Sequence, residues 1–107
     1  MFWANLVHLS FNMWEEAEVQ PPPGFPGKKL LEIRKARPYL RLEEPFYQTL
    51  TEKMKAAGMN MIVLDLGDGV RYQSHPEIAV KGAWSPEKLK MELARLRSLG
   101  LEPIPKL

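Results

Sequence analysis

The chain is 107 residues long, 45% apolar and 26% charged, which fits one soluble globular domain and excludes a disordered or fibrous chain. Its formal charge of +2 is too small for a nucleic-acid footprint: the basic residues Lys28, Lys29, Arg34, Lys35 and Arg37 are diluted by Leu30, Leu31, Glu32 and Ile33 into a solvated loop face. With no cysteine, disulfides, thiolate catalysis and cysteine metal sites are excluded. The apolar N-terminus lacks a basic stretch and a small-residue cleavage site, and no run approaches the roughly 18–20 apolar residues of a membrane span.

In chain order, residues 5–14 are rich in β-formers and aromatics and read as a first strand. The acids Glu15, Glu16 and Glu18 and the proline-rich stretch 20–27 follow, in a long loop over about residues 15–43 with a short helical excursion at 29–35. Pro45, after Glu43 and Glu44, opens a helix over 44–57, with Phe46, Leu50, Met54 and Ala57 at helical spacing and Gly58 as its stop. The run 59–66 reads as a strand apolar on both faces, as in parallel sheets, and ends in the turn Gly67-Asp68-Gly69. The phrase then repeats. Ser85 as N-cap, Pro86 at the first helical position and Glu87 in the first turn start a helix over 85–99, striped by Leu89, Leu93 and Leu96 with Leu99 beside them. Gly100 closes it and an extended segment follows at 101–107.

These elements predict an α/β fold of parallel β-α-β-α-β units. Helices on one side of three strands leave the other side bare, although Ile62, Val63, Leu64 and Leu66 make both sides apolar, and closure into a (β/α)8 barrel would bury it. The reading is therefore a partial TIM barrel that stops inside its third strand. Pro103 and Pro105 speak against regular pairing on one side of that strand. The segments "NLVHLSFNMW" at 5–14, "DLGDGVRY" at 65–72, "SHPEIAVKGAWS" at 74–85 and "LGLEPIPKL" at 99–107 resemble the N-terminal part of bacterial TIM-barrel proteins grouped with the glycoside hydrolases. The resemblance spans the first strand and about residues 38–107 but not the proline-rich insert. It implies a carbohydrate-active barrel whose acid pair comes from later strands, so this chain alone is expected to be inactive.

Sites of such barrels lie at the carboxyl ends of strands. The candidates there are Asn12 and Trp14 after the first strand, Asp65, Asp68, Arg71 and Tyr72 after the second, and Lys106 on the third. An acid within an apolar run must be paired or solvated, so Asp65 is either a weak catalytic candidate or the anion of an ion pair with Arg71 or Lys106. Asp68, between two glycines, is a turn former or a second carboxyl group. Trp14, Tyr72 and Trp84 offer aromatic faces to a sugar, although Trp84, directly before an N-cap, also suits a hydrophobic staple. His75 and Glu77 lack partners at a metal-site spacing, no phosphate loop is present, and Ser10, Ser74 and His8 form no nucleophile elbow. No metal or other cofactor is expected. Carbohydrate, the rest of a barrel or a second copy of the chain on the bare sheet face are the expected partners. A small carbohydrate- or peptide-binding module is the alternative function.

Overall fold

The computed structural model describes residues 1–10, 12, 23, 24, 27 and 35–107. Trp14, most of the proline-rich stretch and the excursion expected at 29–35 lie outside the described residues, apart from Pro23, Gly24, Gly27 and Lys35. Three parallel strands, β1 (Ala4–His8), β2 (Met61–Asp65) and β3 (Glu102–Lys106), form one sheet in that order. Two helices, α1 (Glu44–Ala56) and α2 (Pro86–Ser98), cover one face of it. β1 is shorter than the stretch 5–14 suggests. Leu9 still donates to the Asp65 carbonyl at 2.9 Å, but the Ser10 hydroxyl then takes the Asn12 N–H at 3.2 Å, a local turn that competes with the ladder.

The helix ends follow the sequence closely. Ser85 Oγ accepts from the Lys88 N–H at 3.0 Å and caps α2, whereas Glu43 gives α1 no side-chain cap. Both helices close in the same double hydrogen bond. Met59 N–H reaches Met54 O at 3.1 Å and Gly58 N–H reaches Lys55 O at 3.0 Å, while Leu101 N–H reaches Leu96 O at 3.0 Å and Gly100 N–H reaches Arg97 O at 2.9 Å. This closure needs a left-handed residue, and Gly58 (φ 92°) and Gly100 (φ 81°) supply it.

The buried face of α1 matches the expected stripe at Met54, with Leu50 packed against the core, but departs from it elsewhere. Tyr47, Thr51 and Met54 are buried, while Phe46 is 68% exposed and Ala57 also faces outward. The cause is α2. Its Glu92, 7% exposed, grips Arg95 at 2.6 Å, and the same guanidinium donates to Thr51 Oγ1 at 2.9 Å and lies over the Tyr47 ring. Thr51, Glu92 and Arg95 thus satisfy one another inside the interface. Burial first, then the Glu92 carboxylate, hold the Tyr47 phenol far above its ordinary range. Trp84 is 4% exposed and meets Tyr47 edge to face with centroids 5.9 Å apart, so it is a core residue rather than a platform for a sugar.

Residues paired in a parallel register share a face of the sheet. Asn5, Val7, Ile62, Leu64, Pro103 and Pro105 lie on the face toward the helices, where Ile62 and Leu64 are wholly buried. The other face carries two informative rows: Leu6, Val63 and Ile104, then His8, Asp65 and Lys106. Leu6 and Ile104 stay 46% and 41% exposed. Ile62 and Leu64 are the centre of the core.

The expected partial TIM barrel is not formed. Among the described residues the chain builds an open sheet of three strands with two helices, and the outer side of β3 explains where the sheet stops. Glu102 N–H bonds to Asn60 O and Lys106 O accepts from Leu66 N–H, so the even residues of β3 face β2 and the odd ones face outward. Those odd residues are Pro103 and Pro105, which have no N–H to give a fourth strand. The stretch between β2 and α2 also departs from a simple loop. It forms 3-10 turns at Gly67–Gly69 and Pro76–Ile78 and the parallel bridges Val70 to Trp84 and Tyr39 to Lys81, which lid one end of the sheet. Among the described residues no helix is long and apolar enough to cross a membrane.

Candidate functional site

Three strands ending together place three ionisable side chains in one row. His8, Asp65 and Lys106 are register partners at the carboxyl ends of β1, β2 and β3. His8 Nδ1 lies 2.8 Å from Asp65 Oδ2, and Lys106 Nζ lies 3.5 Å from the same oxygen. With a carboxylate as acceptor, the His8 Nδ1 carries the proton of that bond. Asp65 is 3% exposed, so two basic partners answer the cost of burying its charge. Of the two partners expected from the sequence, Lys106 is present and Arg71 is not. Arg71 is exposed, its backbone N–H bonds to Trp84 O at 2.8 Å, and its guanidinium forms no ion pair among the described residues.

The turn after β2 supplies a second carboxylate. Asp68 is not a solvated turn residue: it is 9% exposed, and its Oδ2 accepts from Asn12 Nδ2 at 2.8 Å. Asn12 is a clamp. Its Nδ2 also donates to Arg37 O at 2.7 Å, and its Oδ1 accepts from Arg37 N–H at 2.9 Å, tying the end of the β1 segment to the approach to α1. The other carboxylate oxygen, Asp68 Oδ1, is buried without a hydrogen-bond partner. Tyr72 completes the cluster, its hydroxyl donating to Gly67 O at 3.1 Å. Burial raises the Tyr72 phenol above its ordinary value, and the neighbouring Asp65 and Asp68 charges add to the shift.

Asn12, Asp65, Asp68, Tyr72 and Lys106 are therefore gathered at one end of the sheet. Trp14 lies outside the described residues, and Arg71 does not join the others. His8, unassigned by sequence reasoning, proves to be a direct partner of Asp65. One signal was available: His8 and Asp65 each stand at the end of an apolar strand segment, where parallel register brings like positions together. Away from the cluster, His75 Nδ1 and Glu77 Oε1 pair at 3.0 Å on the exposed surface, and no group of three metal-binding side chains occurs among the described residues.

Chemically, the cluster offers two anionic acceptors, an amide and a phenol within a largely desolvated end of the sheet. Each carboxylate has already engaged one oxygen, Asp65 with His8 and Lys106 and Asp68 with Asn12. What is left is one inward acceptor, Asp68 Oδ1. No family model, no curated protein and no solved structure matches this chain, so the glycoside-hydrolase-like resemblance rests on the segments quoted from its sequence.

Proposed function

We propose that the chain binds a saccharide at the carboxyl ends of its strands and cleaves no glycosidic bond by itself. The observation that carries this reading is Asp68 Oδ1, a buried acceptor left without a donor. A sugar hydroxyl is a donor of the right size, and an unmet buried acceptor costs about 1–3 kcal/mol. The Asn12 amide and the Tyr72 hydroxyl flank that position with further polar groups. The resemblance to glycoside-hydrolase-like proteins points to the same ligand class. Turnover asks for more: two carboxyl groups facing one bond, one giving a proton and the other attacking or activating water. Asp65 and Asp68 instead hold protein partners.

Calorimetric titration with a panel of mono- and oligosaccharides tests binding. Asp68→Asn keeps an acceptor for Asn12 but removes the charge, and should weaken binding about tenfold. Binding unchanged in that variant refutes the assignment. Chromogenic glycosides test the second half: no turnover is expected, and turnover abolished by Asp65→Asn would overturn it.

A second reading, association of two copies through the second sheet face, is supported by the exposure of Leu6 and Ile104 side by side with Val63. Light scattering at micromolar concentration should then show a dimer that Ile104→Lys dissolves. A monomer at all concentrations rules it out.

A further inference from the structure

Beside the cluster lies a half-open pocket of about 330 Å³, to which the reading above assigns no role. One wall is the end of β1, His8 to Ser10; the other is the approach to α1, with Tyr39, Arg41, Glu43 and Phe46. Its volume is at the small end of the range for ligand sites, enough for one ring and too little for a chain of them. Its lining has two characters. Tyr39 and Phe46 bring aromatic rings that are 49% and 68% exposed. Arg41, Glu43 and Ser10 bring a guanidinium, a carboxylate and a hydroxyl.

Two of these residues are hard to explain by folding alone. Phe46 stands on α1 away from the buried Tyr47, Thr51 and Met54, so its ring contributes little to the core. Glu43 is the N-cap residue of α1, yet its carboxylate does not cap the helix and makes no ion pair among the described residues. An exposed ring and an uncommitted carboxylate thus border one concavity. A ligand that uses both has an apolar face and an edge of hydroxyl donors and acceptors. A pyranose ring has both: its C–H face covers an aromatic ring, and its hydroxyls donate to a carboxylate and accept from a guanidinium.

We infer that this pocket is the subsite for a single neutral pyranose ring, stacked on Phe46 or Tyr39 and hydrogen-bonded by Glu43 and Arg41. The inference rests on the saccharide reading, and it adds a place and a specificity to it. His8 joins the two: it lines the pocket and bonds to Asp65 at 2.8 Å. A saccharide with one ring in the pocket therefore extends toward the strand-end cluster.

The test is amide chemical-shift mapping of the full 15N-labelled chain, titrated with methyl hexopyranosides. Shifts are expected at Ser10, Tyr39, Arg41, Glu43 and Phe46. Phe46→Ala and Tyr39→Ala change exposed rings, so an unaltered melting midpoint will verify the fold, and together they should weaken binding about five- to tenfold. Glu43→Gln should weaken it as well. Shifts confined to Asp68 and Tyr72, with both ring variants binding as the parent does, overturn the subsite and leave the strand-end reading standing. Pocket shifts with binding indifferent to Asp68→Asn support the subsite and overturn the strand-end reading. No saccharide binding at all overturns both.

Discussion

Residues 44–65 and 86–106 follow one plan: a proline in the first turn of a 13-residue helix, a glycine after its last turn, then a five-residue strand. Their helix-to-strand joints share the same double hydrogen bond. Their strands nevertheless have opposite fates. β2, Met-Ile-Val-Leu-Asp, has donors on both sides and becomes the centre of the sheet, with Ile62 and Leu64 fully buried. β3, Glu-Pro-Ile-Pro-Lys, has donors on one side only and becomes a border. Identical local grammar sets where an element starts and stops; the backbone donors of a strand set how many neighbours it takes.

Substitution should break this comparison where the strands differ and preserve it where the joints agree. The largest effect is expected at the centre. Leu64→Ala removes a fully buried side chain and should cost about 2–5 kcal/mol in urea unfolding, whereas Ile104→Ala, at a 41% exposed border position, should cost under about 1 kcal/mol. Equal losses would mean that the two strands are equally central. Next come the joints. Gly58→Ala and Gly100→Ala each force a side chain into the left-handed region and should each lower stability by about 1–2 kcal/mol. At Gly58 the new methyl has ordinary room 3.7 Å from Trp3, and at Gly100 it meets only the flexible end of Lys55, so the two losses should be alike. A large inequality in thermal denaturation would show that the joints are not equivalent. The smallest expected difference is at the helix starts: Ser85→Ala loses a made cap and should cost about 1 kcal/mol, while Glu43→Ala, with no cap to lose, should be close to neutral. Helix content followed by circular dichroism through denaturation checks that contrast.

Much of this plan was legible in the chain. Pro45, Gly58, Ser85, Pro86 and Gly100 act within one turn of their own position, so local physics gives both helices nearly to the residue. The buried side of α1 was legible at Leu50 and Met54 and not at its polar positions. Tyr47 and Thr51 enter the interface because Arg95 and Glu92 meet them there, and the apolar spacing of Phe46, Leu50 and Met54 holds no record of that partner. The extent of the sheet was misread for a related reason. Continuous apolarity in β2 suggested a closed barrel, but helices on one face and β1 and β3 on its flanks already account for Ile62 and Leu64. At the site, the strand-end rule gathers Asn12, Asp65, Asp68, Tyr72 and Lys106, because parallel register is a general property of such sheets. The pairing of His8 with Asp65 spans 57 residues of sequence and depends on the particular register of β1 on β2.

Proline at alternate positions of β3 has a further consequence, for what happens when many copies meet. On the opposite flank, the outward-facing Leu6 N–H is engaged by Asn5 Oδ1 at 3.0 Å, so that rim too has one of its donors occupied. Fibrils lengthen when each added strand finds a complete row of donors and acceptors on the strand before it. Here an incoming strand meets bare carbonyls on one flank and an occupied amide on the other. Stacking rung upon rung into an endless ribbon is thus blocked at the β3 rim and interrupted at the β1 rim.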